Sequence, residues 1–340
     1  MPQERFVVAV CACTFRRPDG LAALLRGLKA QRFRLVPPPE VLIIIVDNES
    51  SARAEALCAV SAAEDGLRLR YLVEKRRGIS FARNRGLDAV PAEAEFIAMI
   101  DDDERPEPEW LEELLLAQAA TGADVVQGRV RPVFAAGTPA WIRAGGFFGY
   151  PPPHGPFRHE TWTDLQGISS AASGNALIRA PAFAKLALRF DPRLGLTGGE
   201  DALFFRALRA AGNRIVYAER AVVNEDVPLT RTTLGYLCRR SYRDGSKRLA
   251  AKLMAKAPGG GSTLRVRGRL AVRACGQAMA AVFWLLGRAV GARLDRITFA
   301  HGLAELANAF GTLAACAGFA YEHYRAAGEA PRRQPAAVPR

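Results

Sequence analysis

The chain has 340 residues, 49% hydrophobic and 24% charged, which provides for a sizeable buried core and excludes wholesale disorder. Its formal net charge of +13 is unevenly placed: residues 1–225 hold 28 Lys+Arg against 28 Asp+Glu, and residues 226–340 hold 19 against 6. A neutral part is therefore followed by a basic one, which is expected to meet something acidic.

Phe6–Cys13 reads as a buried strand, with Cys11 and Cys13 alternating toward one side. Asp19 is placed to cap a helix that spaces Leu21, Leu24, Leu25 and Leu28 along one face. After Pro37-Pro38-Pro39, six aliphatic residues, Val41–Val46, have the pattern of a central parallel strand covered on both faces, ending at Asp47. A helix around 52–63, a strand at 67–73 and a helix around 81–89 lead to the strand Phe96–Ile100, which ends at Asp101. A helix over 109–120 and a strand over 124–130 complete a β-α-β-α rhythm, the mark of a doubly wound α/β sheet. Residues 131–173 are rich in Gly, Pro and aromatics and show little periodicity, so they are expected to form a functional loop or lid. A return strand over 174–179, a helix opened by Gly198-Gly199-Glu200-Asp201 and a strand over 214–219 follow. From about Thr232 the pattern is helical and basic.

Polar residues gather where strands end. Thr14, Asp47 and Asp101 to Asp103 each follow an apolar run, and open α/β sheets bind ligands outside the carboxyl ends of their strands. Three adjacent carboxylates repel one another, and a hard divalent cation neutralises them while bridging to phosphate oxygens; Asp101 and Asp103, two apart, can turn toward one cavity. The competing structural reading places the acids at the N-terminus of the helix that follows. Asp47, followed by Asn48, can accept hydrogen bonds from a ribose or a base, or else cap the next helix, a role Ser50 or Ser51 could also fill. Gly78–Gly86 sets a helix start beside these acids, with Arg83 and Arg85 able to face a diphosphate or pair with the carboxylates and one of them expected at the surface. Glu200 and Asp201, behind two glycines at a helix start, are candidates for proton transfer. The six cysteines form no C-x-x-C pair, which signals neither zinc nor a redox dithiol. The first strand lacks a Gly-rich dinucleotide turn, and Gly259-Gly260-Gly261-Ser262-Thr263 lacks the lysine of a P-loop.

Taken together, Thr14-Phe15-Arg16-Arg17-Pro18, Val46-Asp47-Asn48, Gly78–Arg85, Ile100–Asp103, Gly174–Arg179 and Gly199-Glu200-Asp201 resemble, in order and spacing, the family 2 glycosyltransferases, with the nearest likeness to succinoglycan-type exopolysaccharide enzymes. The resemblance covers about residues 5–250. It implies a GT-A fold, α/β with a mixed, mainly parallel sheet flanked by helices, followed by an α-helical basic extension. It also implies a nucleotide-diphosphate sugar donor, Mg²⁺ or Mn²⁺, and inversion at the anomeric carbon. On this basis Asp101 and Asp103 bind metal. Thr14, Arg16, Asp47, Asn48, Arg83, Asp101, Asp102, Arg239 and Arg240 bind donor. Asn175 and Gly199 meet the acceptor, and Asp201 is the base with Glu200 as its alternative. Processive relatives carry Q-x-x-R-W where this chain has Arg239-Arg240-Ser241-Tyr242-Arg243, so addition of one sugar to a glycan or lipid-linked acceptor is expected. The implied layout is a catalytic domain over 1–230, a basic helical appendage over 231–328 and a disordered tail over 329–340.

The start of the chain shows no signal-peptide pattern, so a cytoplasmic location is expected. Ala274–Gly287 and Leu306–Tyr321 are uncharged runs of 14 and 16 residues, each short of the ~20 of a spanning helix. They fit either buried helices or helices in a membrane interface, and the flanking Arg and Lys suggest peripheral attachment to an anionic inner membrane face. Two rival functions are a sugar-phosphate nucleotidyltransferase, which should show a Gly-rich phosphate loop after the first strand, and a nucleic-acid-binding protein, which should interleave aromatics with its basic residues. Neither pattern is present, and nucleic acid is not an expected partner.

Overall fold

The computed structural model describes residues 6–49, 54–151, 162–254, 263–291 and 294–319. Ser50, Ser51, Gly259 to Ser262 and the 329–340 tail, each singled out above, lie outside them.

An eight-stranded mixed sheet carries the fold. Its strands are β1 (Val7–Thr14), β2 (Glu40–Asp47), β3 (Leu69–Val73), β4 (Ala94–Asp101), β5 (Glu104–Pro106), β6 (Val125–Phe134), β7 (Ala176–Arg179) and β8 (Ile215–Val227), in the spatial order β3-β2-β1-β4-β7-β6-β8-β5. The first four are mutually parallel, and β7 enters antiparallel between β4 and β6. The helices α1 (Pro18–Lys29), α2 (Ala54–Asp65) and α4 (Trp110–Thr121) belong to one layer, and α3 (Ile79–Asp88) and α7 (Glu200–Ala210) to the other. The aliphatic run of β2 explains this directly. Ile43 and Ile45 point into the first layer with Leu21, Leu24 and Leu25, while Leu42, Ile44 and Val46 point into the second with Ala82 and Leu87. A strand covered on both faces has no polar side to alternate.

The chain leaves β1 toward β2 and β3, then returns to place β4 on the other side of β1. That reversal opens a crevice at the carboxyl ends of β1 and β4. Parallel register aligns the strand ends: Thr14 lies opposite Asp47, and Cys13 opposite Asp101.

Several local readings are corrected. Asp19 lies in the first turn of α1, but Arg17 occupies the cap position and no side chain caps it. The acids 101–103 do not start a helix; they form the turn between β4 and the short strand β5, which pairs with β8. Strands β6 and β8 run on to Phe134 and Val227, because they pair with each other over most of their length and each satisfies the other's backbone. The stretch expected as one long loop over 131–173 thus begins as strand and includes the short helix α5 (Ala140–Ala144).

After the short helix α6 (Ala180–Ala184), α7 and β8, three longer helices follow: α8 (Leu234–Met254), α9 (Thr263–Val290) and α10 (Arg296–Cys316), with α10 packed against both others. Small residues let α8 and α10 approach closely. A methyl group added to Gly245 would overlap the Asn308 carbonyl, and one added to Gly311 the Tyr242 carbonyl. The crossing is held by Thr312 Oγ1 donating to Gly245 O at 3.1 Å and Asn308 Nδ2 donating to Ser241 O at 3.1 Å. Asn308 and Thr312 punctuate the second uncharged run for this reason, and the polar residues there are buried glue.

Candidate active site

The strand ends and two helix starts build one site. At β2, Asp47 is buried, accepts the Glu49 N–H at 2.8 Å through one oxygen and the Tyr71 hydroxyl at 2.8 Å through the other. Asn48 donates to the carbonyls of Glu74 and Arg76, both at 2.8 Å, and accepts from Gly78 N–H at 2.9 Å. Asp47 and Asn48 thus order the loop that leads into α3. Arg16, at φ 57°, pairs with Glu49 at 2.8 Å and leaves most of its side chain in solvent.

Gly78 starts α3 at φ 134°, and its backbone approaches that of Gly195 so closely that a side chain would crowd it. Ile79 N–H donates to Gly195 O, Ser80 to Asp191 O, and Asn84 exchanges hydrogen bonds with the backbone of Phe190. This stitching fixes α3 against the segment that enters α7, and it points Arg83 into the site. Buried Arg83 pairs with buried Glu200 and, at 3.2 Å, with Asp101. Burial works against the Arg83 charge, but the fields of Glu200, Asp101 and Asp201 outweigh it and keep the guanidinium protonated. Arg85, by contrast, is exposed.

The acidic turn divides its labour. Asp102 turns inward, accepts the Thr14 hydroxyl at 2.8 Å and pairs with Arg17 at 2.9 Å; burial pushes its carboxyl up to about 6 against the pull of Arg17 and Thr14. Asp101 and Asp103 keep 41% and 25% of their side chains exposed. Asp103 pairs with Arg17 at 2.8 Å and with Arg231 at 3.6 Å. Glu104 is buried beneath them, accepts the Asp101 N–H at 3.0 Å, and is held well above the usual carboxylate range, first by burial and then by Asp101. Gly174 leaves the space its carboxylate fills. Among the described residues no three His, Cys, Asp or Glu side chains converge as a ready metal cage.

On the far side, Gly198 and Gly199 adopt φ 78° and 93°, a left-handed turn that delivers Glu200 and Asp201 to the first turn of α7. The two acids part there. Glu200 is committed to Arg83, and burial lifts its carboxyl while Arg83 draws it back. Asp201 is half-buried and accepts the Ala202 N–H at 2.7 Å, at the positive end of the helix. Lys247 of α8 lies along Gly198 and Gly199. Between the two sides a small crevice is lined by Cys13, Val46, Arg83, Gly86, Asp101 and Ser173. Desolvation pushes the Cys13 thiol up to about 12.

The structure joins Arg83, Asp101 and Glu200 by ion pairs, with Asp103 in the same acidic turn as Asp101, Asp201 next to Glu200 at the start of α7, and Asp47 and Asn48 at the end of β2. It moves others. Thr14 and Asp102 bond each other and brace the turn from behind. Asn175, expected to meet an acceptor, is wholly buried at φ 57°: it accepts Trp110 Nε1–H at 2.7 Å and donates to the carbonyls of Arg129 and Ala221. All its polar atoms serve the core, and Gly128 lacks a side chain because Asn175 occupies that space. Gly199 is the helix cap. Arg239 is exposed on α8. Arg240 reaches the Phe147 carbonyl at 3.3 Å and lies over the Phe148 ring, with Glu225 in its field. Sequence reasoning missed Tyr71, Arg17, Arg231 and Lys247. Arg17 sits in the same motif as Arg16 and could have been chosen with it; nothing local marks the other three.

Comparison with known proteins places these residues in context. The profile of Glycosyl transferase family 2 matches residues 9–187. The chain is 35% identical over 246 residues to the succinoglycan biosynthesis protein ExoM of Rhizobium meliloti (strain 1021), covering 72% of this chain and 75% of that one. It is 24% identical over 258 residues to a glucosyl-dolichyl phosphate glucuronosyltransferase of Haloferax volcanii, covering 74% and 78%. Among solved structures, the mannosyltransferase PcManGT from Pyrobaculum calidifontis, in complex with GDP-Man and Mn²⁺, superposes with a TM-score of 0.55 at 18% identity, over 91% of this chain and 87% of that one, which establishes a shared GT-A-like fold.

Proposed function

The chain belongs to glycosyl transferase family 2, and on that premise we propose that it moves a single hexose-type sugar from a nucleoside diphosphate donor to a glycan or lipid-linked acceptor, with inversion, in cell-surface or exopolysaccharide biosynthesis. The observation that carries this reading is that Arg83 pairs both with Asp101 of the acidic turn and with Glu200, the neighbour of Asp201 at the start of α7. This one guanidinium links the acid proposed to face the diphosphate to the helix start that carries the proposed base.

In this reading Asp47, held by Tyr71, meets the nucleoside. Asp201 accepts the proton of the acceptor hydroxyl as that oxygen attacks the anomeric carbon. Arg83 steadies Asp101 and adds positive charge near the diphosphate. Asp101 and Asp103, ion-paired to Arg83, Arg17 and Arg231, keep part of their side chains exposed while Asp102 is used internally, and they are the acids that would hold Mg²⁺ or Mn²⁺ together with water and substrate phosphate. Bound there, the ion would offset the charge of the departing nucleoside diphosphate. The structurally similar mannosyltransferase holds Mn²⁺ with its donor, which supports the assignment.

The test is a donor screen. Purified protein is incubated with individual nucleotide sugars and Mn²⁺ or Mg²⁺, and free nucleoside diphosphate is measured with and without glycan or lipid-linked acceptors. Release that depends on one donor and one acceptor is expected; release of pyrophosphate from sugar phosphate and nucleoside triphosphate would instead identify a nucleotidyltransferase.

A further inference from the structure

Among the described residues, helix α9 packs Leu270, Ala274 and Ala281 inward and leaves its opposite face exposed. That outward face carries Val272, Met279, Phe283, Leu286 and Val290, spaced 7, 4, 3 and 4 residues apart, which is one continuous helical stripe. Their exposures run from 56% to 90%. At 1.5 Å per residue the stripe is about 27 Å long. At its N-terminal end Arg265, Arg269 and Arg273, all exposed, continue the surface at four-residue spacing. The helix contains five arginines and no acid. Soluble surfaces do not leave such a stripe open without a use.

We infer that the outward face of α9 lies in the interface of an anionic lipid bilayer, with the apolar stripe among the upper acyl chains and Arg265, Arg269 and Arg273 on the headgroups. Charge complementarity selects this occupant. A second copy of the chain would bring the same arginines and no acid from this helix. By length and composition α9 is apolar enough to cross a membrane, and its 18-residue window of mean hydropathy 1.5 is only 17% buried. Two features favour an in-plane position. The uncharged stretch between Arg273 and Arg288 is 14 residues, about 21 Å, short of the ~30 Å hydrocarbon core. The inner side also carries Gln277, bonded to Glu305 and Asn308 of α10, and an acid in the hydrocarbon is costly. A helix packed against the protein on one side, with an apolar stripe on the other, is set to lie flat in the interface.

The helices that α9 packs against also contact the loop after α5. On α10, His301 Nε2 lies 2.8 Å from Gly145 O and its ring stacks on Phe147 at 4.4 Å, while Arg240 of α8 holds the carbonyl of that same Phe147. A membrane held by α9 would therefore lie on the helical layer that contacts the loop after α5. This inference does not depend on the donor or the acceptor named above.

The test uses the full chain with vesicles of phosphatidylcholine, with and without phosphatidylglycerol. Co-sedimentation is expected with the anionic vesicles, falling as salt rises. Met279→Glu/Phe283→Glu, which changes two exposed residues, is expected to lower partitioning at least about tenfold, with unchanged circular dichroism and donor turnover. Arg265→Gln/Arg269→Gln/Arg273→Gln is expected to remove the preference for anionic lipid. Equal partitioning by wild type and the Met279→Glu/Phe283→Glu variant would overturn the inference. So would a stable wild-type dimer in light scattering that this variant splits, which would assign the face to a second copy. Retention in the bilayer through an alkaline carbonate wash would replace the in-plane position with a spanning one.

Discussion

Arg83 and Glu200, 117 residues apart in the chain, form a buried ion pair that locks the start of α7 to α3. Arg83 extends the same guanidinium to Asp101, so one side chain sets the spacing between the acidic turn and the helix that presents Asp201. Removing one partner leaves the other charge buried without compensation. Arg83→Met is expected to destabilise the protein by about 3–5 kcal/mol. Arg83→Met/Glu200→Leu should recover much of that loss in urea denaturation while transfer stays abolished. An unchanged urea midpoint for Arg83→Met would show that the pair does not form in solution.

The division between Glu200 and Asp201 gives a second expectation. Asp201 sits at the positive end of α7 with its carboxylate partly open, whereas Glu200 is used by Arg83. Asp201→Asn should keep nucleotide-sugar affinity by calorimetry and lose at least ~10²-fold in transfer, the usual scale for a general base. Asn has the same size and can still accept the Ala202 N–H, so the fold should persist. Near wild-type transfer by Asp201→Asn would remove it from the proton-transfer role.

The partly exposed acids Asp101 and Asp103 give a third expectation. A chelator is expected to abolish donor turnover, with Mn²⁺ or Mg²⁺ restoring it. Asp103→Ala should weaken metal and donor binding together in titration calorimetry, because the ion links the two. Asp102→Asn, whose oxygens are taken by Thr14 and Arg17, should leave metal affinity nearly intact. Full turnover in metal-free buffer would refute the assignment of Asp101 and Asp103.

Asn175 supplies a test of structural against binding roles. Asn175→Ala strips partners from buried Trp110 Nε1–H and from two carbonyls, and it puts alanine at φ 57°. A loss of at least about 2 kcal/mol is expected, since each orphaned buried group costs about 1–3 kcal/mol. The melting temperature should fall while the acceptor KM of the folded enzyme stays unchanged. A raised acceptor KM with an unchanged melting temperature would restore the binding role.

Much of the sheet was legible in the sequence because burial on both faces writes long aliphatic runs. Val41–Val46 announces a central strand, and Thr14, Asp47 and Asp101 announce where the strands stop. The acids at these strand ends could therefore be read locally as one candidate group. The sequence also marked the charge imbalance and the uncharged runs of the last third. What it left open was direction. Asp101, Asp102 and Asp103 look alike in a row, and only the approach of Thr14 and Arg17 turns the middle one inward. Asn175 sits in a motif that reads as functional, yet Trp110 and two carbonyls from other elements use all of it. Tyr71, Arg231 and Lys247 reach the site from distant elements, and no local pattern records such an approach. Periodicity and composition are properties of neighbours along the chain, whereas hydrogen bonds and ion pairs between elements exist only once those elements are packed.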